Sequence, residues 1–555
     1  MLKLILAIIL WSVALVGIGG FIESTSSNGA SAKGRRYFLG ELLFLGLLGT
    51  SVAGLGLNYF TPLSESVSFT FLGLGWLIVI KSWKTFFSRV RKDEAVLAGS
   101  VVVALSLIAV SSHYNIDTGY YHFPSVMVNR SFPLIPGLAN IFGPYGHNST
   151  WFIIESIFTL PPLGWASTFS LNSICALTLI LLFFENVEKA SWFGFVFTIL
   201  SLLCINLSLV AIGGLTPDIC SYALGSLICL WALNAECENE VDHWLQVSLG
   251  VMLAGLAITV KISNLLVLIP TICLILTSSK EQKISHKVSE CFKNRPFREG
   301  VLGACILMLL WLLRNIFLSG CLIYPRSGTC IVSLPWTMPL EWVDGWLVDV
   351  KYHLCGIRSG GSVFSQVSCL KEWSYRLLRE PLLKYILTLA SFAAFVGIFL
   401  RLRGFVSMKR QSTRLINLFF FLVVCPGLVW LFVAPNVRFA PWIFLVCGTL
   451  FIGTVLSPIE SKLRRRKQIF YLCLLFGFVS SLRTSLGTNP RPIDWMNWPN
   501  VPQVEGTVLL EKNNFTISTI VNGFQCWGVK PPCTPQVSPV EIQEKMGRAF
   551  IVPKN

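Results

Sequence analysis

The chain has 555 residues, of which 54% are hydrophobic and only 13% charged, with a formal net charge of +16. Soluble proteins carry about a quarter charged residues, so this composition excludes an ordinary globular enzyme. The basic excess falls in short segments between apolar runs, where it orients a chain in a bilayer rather than marking a nucleic-acid binder.

Apolar runs of roughly 17–22 residues can cross about 30 Å of hydrocarbon as helices. The short alternating segments of a membrane barrel are absent. The expected fold is therefore an all-α polytopic membrane protein. About fourteen spans are expected, over 3–22, 38–58, 64–80, 94–112, 167–185, 191–213, 217–234, 243–260, 262–278, 299–318, 383–401, 414–433, 439–457 and 468–484. The first reads as a retained, signal-like helix with its amino end outside.

Basic loops follow spans one (Lys33, Arg35, Arg36), three (Lys81, Lys84, Arg89, Arg91, Lys92) and nine (Lys280, Lys283, Lys287, Lys293, Arg295, Arg298). Others follow spans eleven (Arg401, Arg403, Lys409, Arg410) and thirteen (Lys462, Arg464, Arg465, Arg466, Lys467). All five are odd-numbered, so one orientation places every one in the cytoplasm. Loops 113–166 and 319–382 and the tail 485–555 then lie outside. The chain divides into additional helices (1–93), a transmembrane core (94–484) and an extracytoplasmic cap (485–555).

The first outer loop holds the densest polar cluster, with Asp117, Tyr121 and His122 just beyond the fourth span. A carboxylate there meets the headgroup of a lipid-linked substrate, although a solvated acid capping a turn is the simpler alternative. Farther on, Asn140 and His147 stand among Gly, Pro and aromatic residues, a composition suited to short interfacial helices or to packing alone. Asp218 follows Thr216 and Pro217 at the start of the seventh span, where helix capping is its plain role.

Three cations are expected at the same outer level: Lys261, Arg314 and Arg438. A charge inside a span costs about 2.5–3.5 kcal/mol on insertion scales, so it faces a polar cavity or an ion pair unless it snorkels. Two acids and three cations from five chain segments fit a phosphate-bearing lipid and a general base.

Six of the 17 cysteines fall in outer segments: Cys321, Cys330, Cys355, Cys369, Cys526 and Cys533. An oxidising compartment turns these into disulfides, with Cys526 and Cys533 the natural pair in the tail and three connectivities open to the other four. No CxxC pair argues for metal. Pro-rich stretches and the alternating runs at 506–510 and 515–520 suggest a small β-containing cap.

The Asp117-Thr118-Gly119-Tyr120-Tyr121-His122 segment resembles the loop acid of GT-C integral-membrane glycosyltransferases. Thr216-Pro217-Asp218, Thr259-Val260-Lys261 and Arg438-Phe439 are similar to further elements of that class. A closer resemblance is to an uncharacterised family of bacterial polytopic membrane proteins, a domain of unknown function. It rests on the Asp117 loop, 136–140, 148–151, Arg314-Asn315, Tyr324-Pro325, Cys526-Trp527 and 532–535.

The GT-C resemblance implies a GT-C-like core and transfer of a sugar from a polyprenyl-phosphate carrier to an extracytoplasmic glycan or lipid acceptor, and the closer family implies a bacterial inner (plasma) membrane. It implies Asp117 as base, His122 and Asp218 as helpers, and Lys261, Arg314, Arg438, Tyr121 and Asn140 on the substrates. The single acid at 117 and Asn436, where the closer family would have Asp, leave a divalent cation as the one possible cofactor without a firm site. The rival readings are an O-antigen polymerase or ligase, and a transporter or flippase of lipid-linked material. The last would need polar residues at the bilayer midplane and broken helices.

Overall fold

A computed structural model describes residues 1–26, 38–84, 90–209, 211–235, 240–276, 291–355, 366–402, 417–433, 436–457, 460, 463, 465–487, 496, 501–512, 515–535, 538–545 and 548–554. Most are helical. Among them, seven helices are long and apolar enough to cross a membrane: Leu2–Thr25, Leu39–Asn58, Lys92–Ser111, Trp165–Asn186, His243–Val260, Arg295–Ser319 and Arg466–Gly487.

The expected count of about fourteen is therefore corrected to seven of full length, with six further apolar helices of 10–17 residues. The physical reason is interruption. The run at 191–213 ends as a helix at Cys204 and resumes only as the turn Asn206–Leu209. The run at 262–278 opens with a 3-10 stretch, Ile262–Val267, and that at 414–433 contains a π-turn, Phe420–Val424. Many of the basic residues used for orientation, including Lys33, Arg35, Arg36, Arg89, Lys280, Lys283, Lys287, Arg403, Lys409, Arg410, Lys462 and Arg464, lie outside the described residues.

Helix Trp165–Asn186 is predominantly apolar and buried over most of its length, the expected fate of a helix without an extended polar face. Helix Leu2–Ser26 packs closely on both Leu39–Asn58 and Glu65–Lys81, and these two pack on the core. Gly17 lies against the Gly75 backbone, and no Cβ would fit between them, the small-residue contact that lets apolar helices approach. Trp11 stacks on Phe158 at 4.2 Å and donates to its carbonyl at 3.0 Å.

The 113–166 segment folds into the π-turn Thr118–His122 and the helices Phe123–Ser131, Leu138–Ile141 and Thr150–Phe158. The last two are buried throughout, which fits the packing alternative for this stretch. In the 319–382 segment, Leu340–Cys355 and Gln366–Leu377 are helical.

The tail contains the β-structure suggested by its alternation. Gly506–Lys512 pairs antiparallel with Phe515–Ile520, and Cys533–Thr534 adds in parallel. A separate hairpin joins Val540–Lys545 to Arg548–Pro553. Disulfides join Cys321 to Cys330 and Cys526 to Cys533. The side chains of Cys355 and Cys369 lie outside the described residues.

Candidate functional site

Pro217 precedes helix Asp218–Asn234, which puts the Asp218 carboxylate in a first turn, where the helix dipole favours negative charge. Lys261 follows the end of helix Glu240–Val260 in extended backbone, so its side chain leaves the helix direction. Its Nζ lies 2.6 Å from Asp218 Oδ1, and both side chains are 21% exposed. The same Nζ sits 3.9 Å from the centre of the Phe439 ring.

Arg438 approaches that ring too, with its guanidinium carbon 5.0 Å from the centre. The short turn Val437–Phe439 is held by Asn436, whose Oδ1 accepts from the Arg438 amide at 3.1 Å. One aromatic ring thus serves two cations, an arrangement its quadrupole favours. Among the described residues, Lys261 is paired with an acid and the exposed Arg438 makes no ion pair.

Asp117 enters from the 113–166 segment at the start of the π-turn, where Asn115 Oδ1 accepts from its amide at 3.2 Å. The loop is tied to the stretch before Asp218, since Thr118 Oγ1 accepts from the Leu215 amide at 3.4 Å. Asp117 is half-buried and close enough to act electrostatically on both Lys261 and Tyr121. Burial, reinforced by Asp117, pushes the Tyr121 phenol far up, so it stays protonated as a donor.

His122 is buried, with Tyr121 at 4.3 Å and Phe152 at 5.0 Å between ring centres. Burial pulls its imidazole down to about 3, overcoming the opposing influence of Asp218. The ring is neutral at physiological pH, and its Nδ1 has no protein partner among the described residues.

A pH dependence follows. Between about pH 6.5 and 3 the unfolded chain holds a proton on His122 that the folded chain refuses, so stability falls on acidification. Burial also lowers His147, to about 4, which acts in the same direction. From pH 6.5 to 5, His122 alone should remove roughly 2 kcal/mol. Thermal unfolding of wild type and His122→Phe across that range checks it, and an equal slope in both would refute the assignment.

The structure does not bring Arg314 and Asn140 into this cluster. Arg314 is 4% exposed and donates to Asn58 Oδ1 at 2.7 Å and to Asn129 Oδ1 at 2.8 Å. It braces helix Leu39–Asn58 against Phe123–Ser131. Asn129→Ala should therefore cost about 1.5–3 kcal/mol, because a buried guanidinium loses a charge-assisted hydrogen bond. Denaturant titration reads this directly. Asn140 Nδ2 donates to the Trp336 carbonyl at 2.9 Å and the Ile551 carbonyl at 3.1 Å, tying the outer loop to the cap.

Three roles escape the sequence reading. The contact of the Phe439 ring with both cations is one, since Arg438-Phe439 carries a resemblance in the sequence but points to no partner. Trp527 is another: its amide donates to the Gly119 carbonyl at 3.1 Å, and its ring fills the space a Cβ on Gly119 would need. Gln525 adds a bond from Nε2 to the Ile116 carbonyl at 2.7 Å, so the cap grips the Asp117 loop on both sides. The third is Glu155, fully buried with no partner for either carboxyl oxygen among the described residues, and held neutral because burial pushes its carboxyl well up.

Among the described residues no group of three or more His, Cys, Asp or Glu is arranged to hold a metal ion. A family model described as a domain of unknown function, DUF8201, matches residues 1–445, and the chain belongs to that family. No curated protein and no solved structure matches it.

Proposed function

We propose that this DUF8201 member is an integral-membrane glycosyltransferase that moves a sugar from a polyprenyl-phosphate carrier to an extracytoplasmic glycan or lipid acceptor. The observation that carries the reading is the shared Phe439 ring, with Lys261 and Arg438 upon it, Asp218 on Lys261, and Asp117 in electrostatic reach. The GT-C resemblance of those same segments adds to it, and an outward-facing site in a bacterial inner membrane is part of the proposal.

In this mechanism Asp117 takes the proton from an acceptor hydroxyl as its oxygen attacks the anomeric carbon. The bond from that carbon to the phosphate oxygen breaks, and the phosphate leaves with the electron pair. A phosphate leaving group needs positive charge more than a proton, which Arg438 supplies, with Lys261 beside it, in a site of lowered dielectric. Asp218 holds the Lys261 ammonium in place. Tyr121 and neutral His122 shape the wall behind Asp117.

The test is capture and turnover of a labelled polyprenyl-phosphate sugar by the purified chain. Arg438→Gln should weaken capture about 10–100-fold, the worth of one charged hydrogen bond in a partly desolvated site. Unchanged capture would make Arg438 an interfacial anchor only. A product with one added sugar supports the proposal, whereas a ladder of repeats moves the enzyme to the polymerase class.

A further inference from the structure

Away from this site, helix Arg466–Gly487 begins at an open cleft of about 450 Å³ lined by Glu188, Leu463, Arg465, Arg466, Lys467 and Gln468. Two of its cations are fixed from behind. Arg466 donates to the Ala190 carbonyl at 2.6 Å and lies over Phe195, and Lys467 is paired with Glu188 at 3.1 Å and Asp93 at 3.4 Å. Arg465 is exposed and makes no ion pair among the described residues. Three cations against two acids leave the cleft positive, and the first amides of a 22-residue helix point the same way.

The same helix carries a second feature below the cleft. Leu472, Leu475, Phe476 and Val479 are each more than half exposed, and their spacing places them on the Gln468 face. A ligand bound there meets positive charge at one end and about two turns of bare apolar surface at the other. We infer that this cleft binds the headgroup of an anionic phospholipid, whose acyl chains lie along the Leu472–Val479 face. The inference does not depend on the proposed transferase activity. It needs only the charge at the helix start and the apolar stripe continuous with it, the pattern by which basic pockets at helix ends select anionic lipids.

The test is native mass spectrometry of the full chain released from detergent, titrated separately with phosphatidylglycerol, with phosphatidylcholine of the same chains, and with inorganic phosphate. Phosphatidylglycerol should be retained at least about fivefold more tightly than phosphatidylcholine. Arg465→Gln should erase about fivefold of that preference. Because Arg465 holds nothing else in place among the described residues, the fold survives this change, and Phe476→Ser tests the apolar half independently by weakening lipid retention. Lys554→Gln, in the cap, serves as the control for overall charge. Equal retention of the two lipids, an equal loss in the control, or an unchanged preference in Arg465→Gln would overturn the inference. Inorganic phosphate binding as tightly as the lipid would reassign the cleft to free phosphate.

Discussion

Asp117→Asn should lower sugar transfer by about 10²–10⁴-fold, the usual contribution of a positioned general base, while membrane insertion and carrier capture stay at wild-type levels. The separation matters because Asp117 and the cation pair perform different tasks. Asparagine keeps the size of the side chain and its ability to accept a hydrogen bond, but cannot take a proton. In the proposed mechanism the carrier phosphate meets Arg438 and Lys261, whose side chains the substitution leaves in place. The measurement is single-turnover transfer at saturating carrier, with capture followed in parallel. Full turnover in the variant removes Asp117 from the chemistry, and lost capture would instead make it part of the carrier site.

The second large effect concerns the cap. Trp527 is 4% exposed and packs on Tyr114 with ring centres 5.0 Å apart, as well as on Gly119. Truncation of a buried Trp to Ala costs about 3–5 kcal/mol, so Trp527→Ala should free the cap turn from the outer loop without disturbing the apolar helices. Hydrogen exchange at the amides of 116–119 should rise by orders of magnitude, since local opening then competes with closure. Unchanged protection there would show that the loop is held by its own turn and not by the cap.

How much of this was legible in the sequence depends on the distance over which each feature is encoded. Hydropathy is a local property, so the apolar helices were visible in it, yet the length of each unbroken helix was not. The break at Cys204 leaves little mark on average hydropathy, whereas the one at Lys261 is visible as a charge dividing two apolar runs. Asp218, Lys261 and Arg438 stood out because charge is rare inside apolar runs, where it requires a partner.

Arg314 stood out for the same reason, but its partners were invisible. Asn58 and Asn129 precede it by 256 and 185 residues and are neutral, so no charge pattern pointed to them. The joining of Asn140 to Ile551 across 411 residues was equally beyond reach. Aromatic rings such as Phe439 and Trp527 were hidden by abundance in a chain that is 13% aromatic.

The grip of Gln525 on Ile116 spans 409 residues, and that separation has a consequence for biogenesis. At about 5–20 residues per second, the ribosome emits the Asp117 loop on the order of 20–80 s before the segment that fastens it. A nascent chain interrupted before residue 506 would thus carry its membrane helices with an unlatched loop, and competence would arrive only with the final strands.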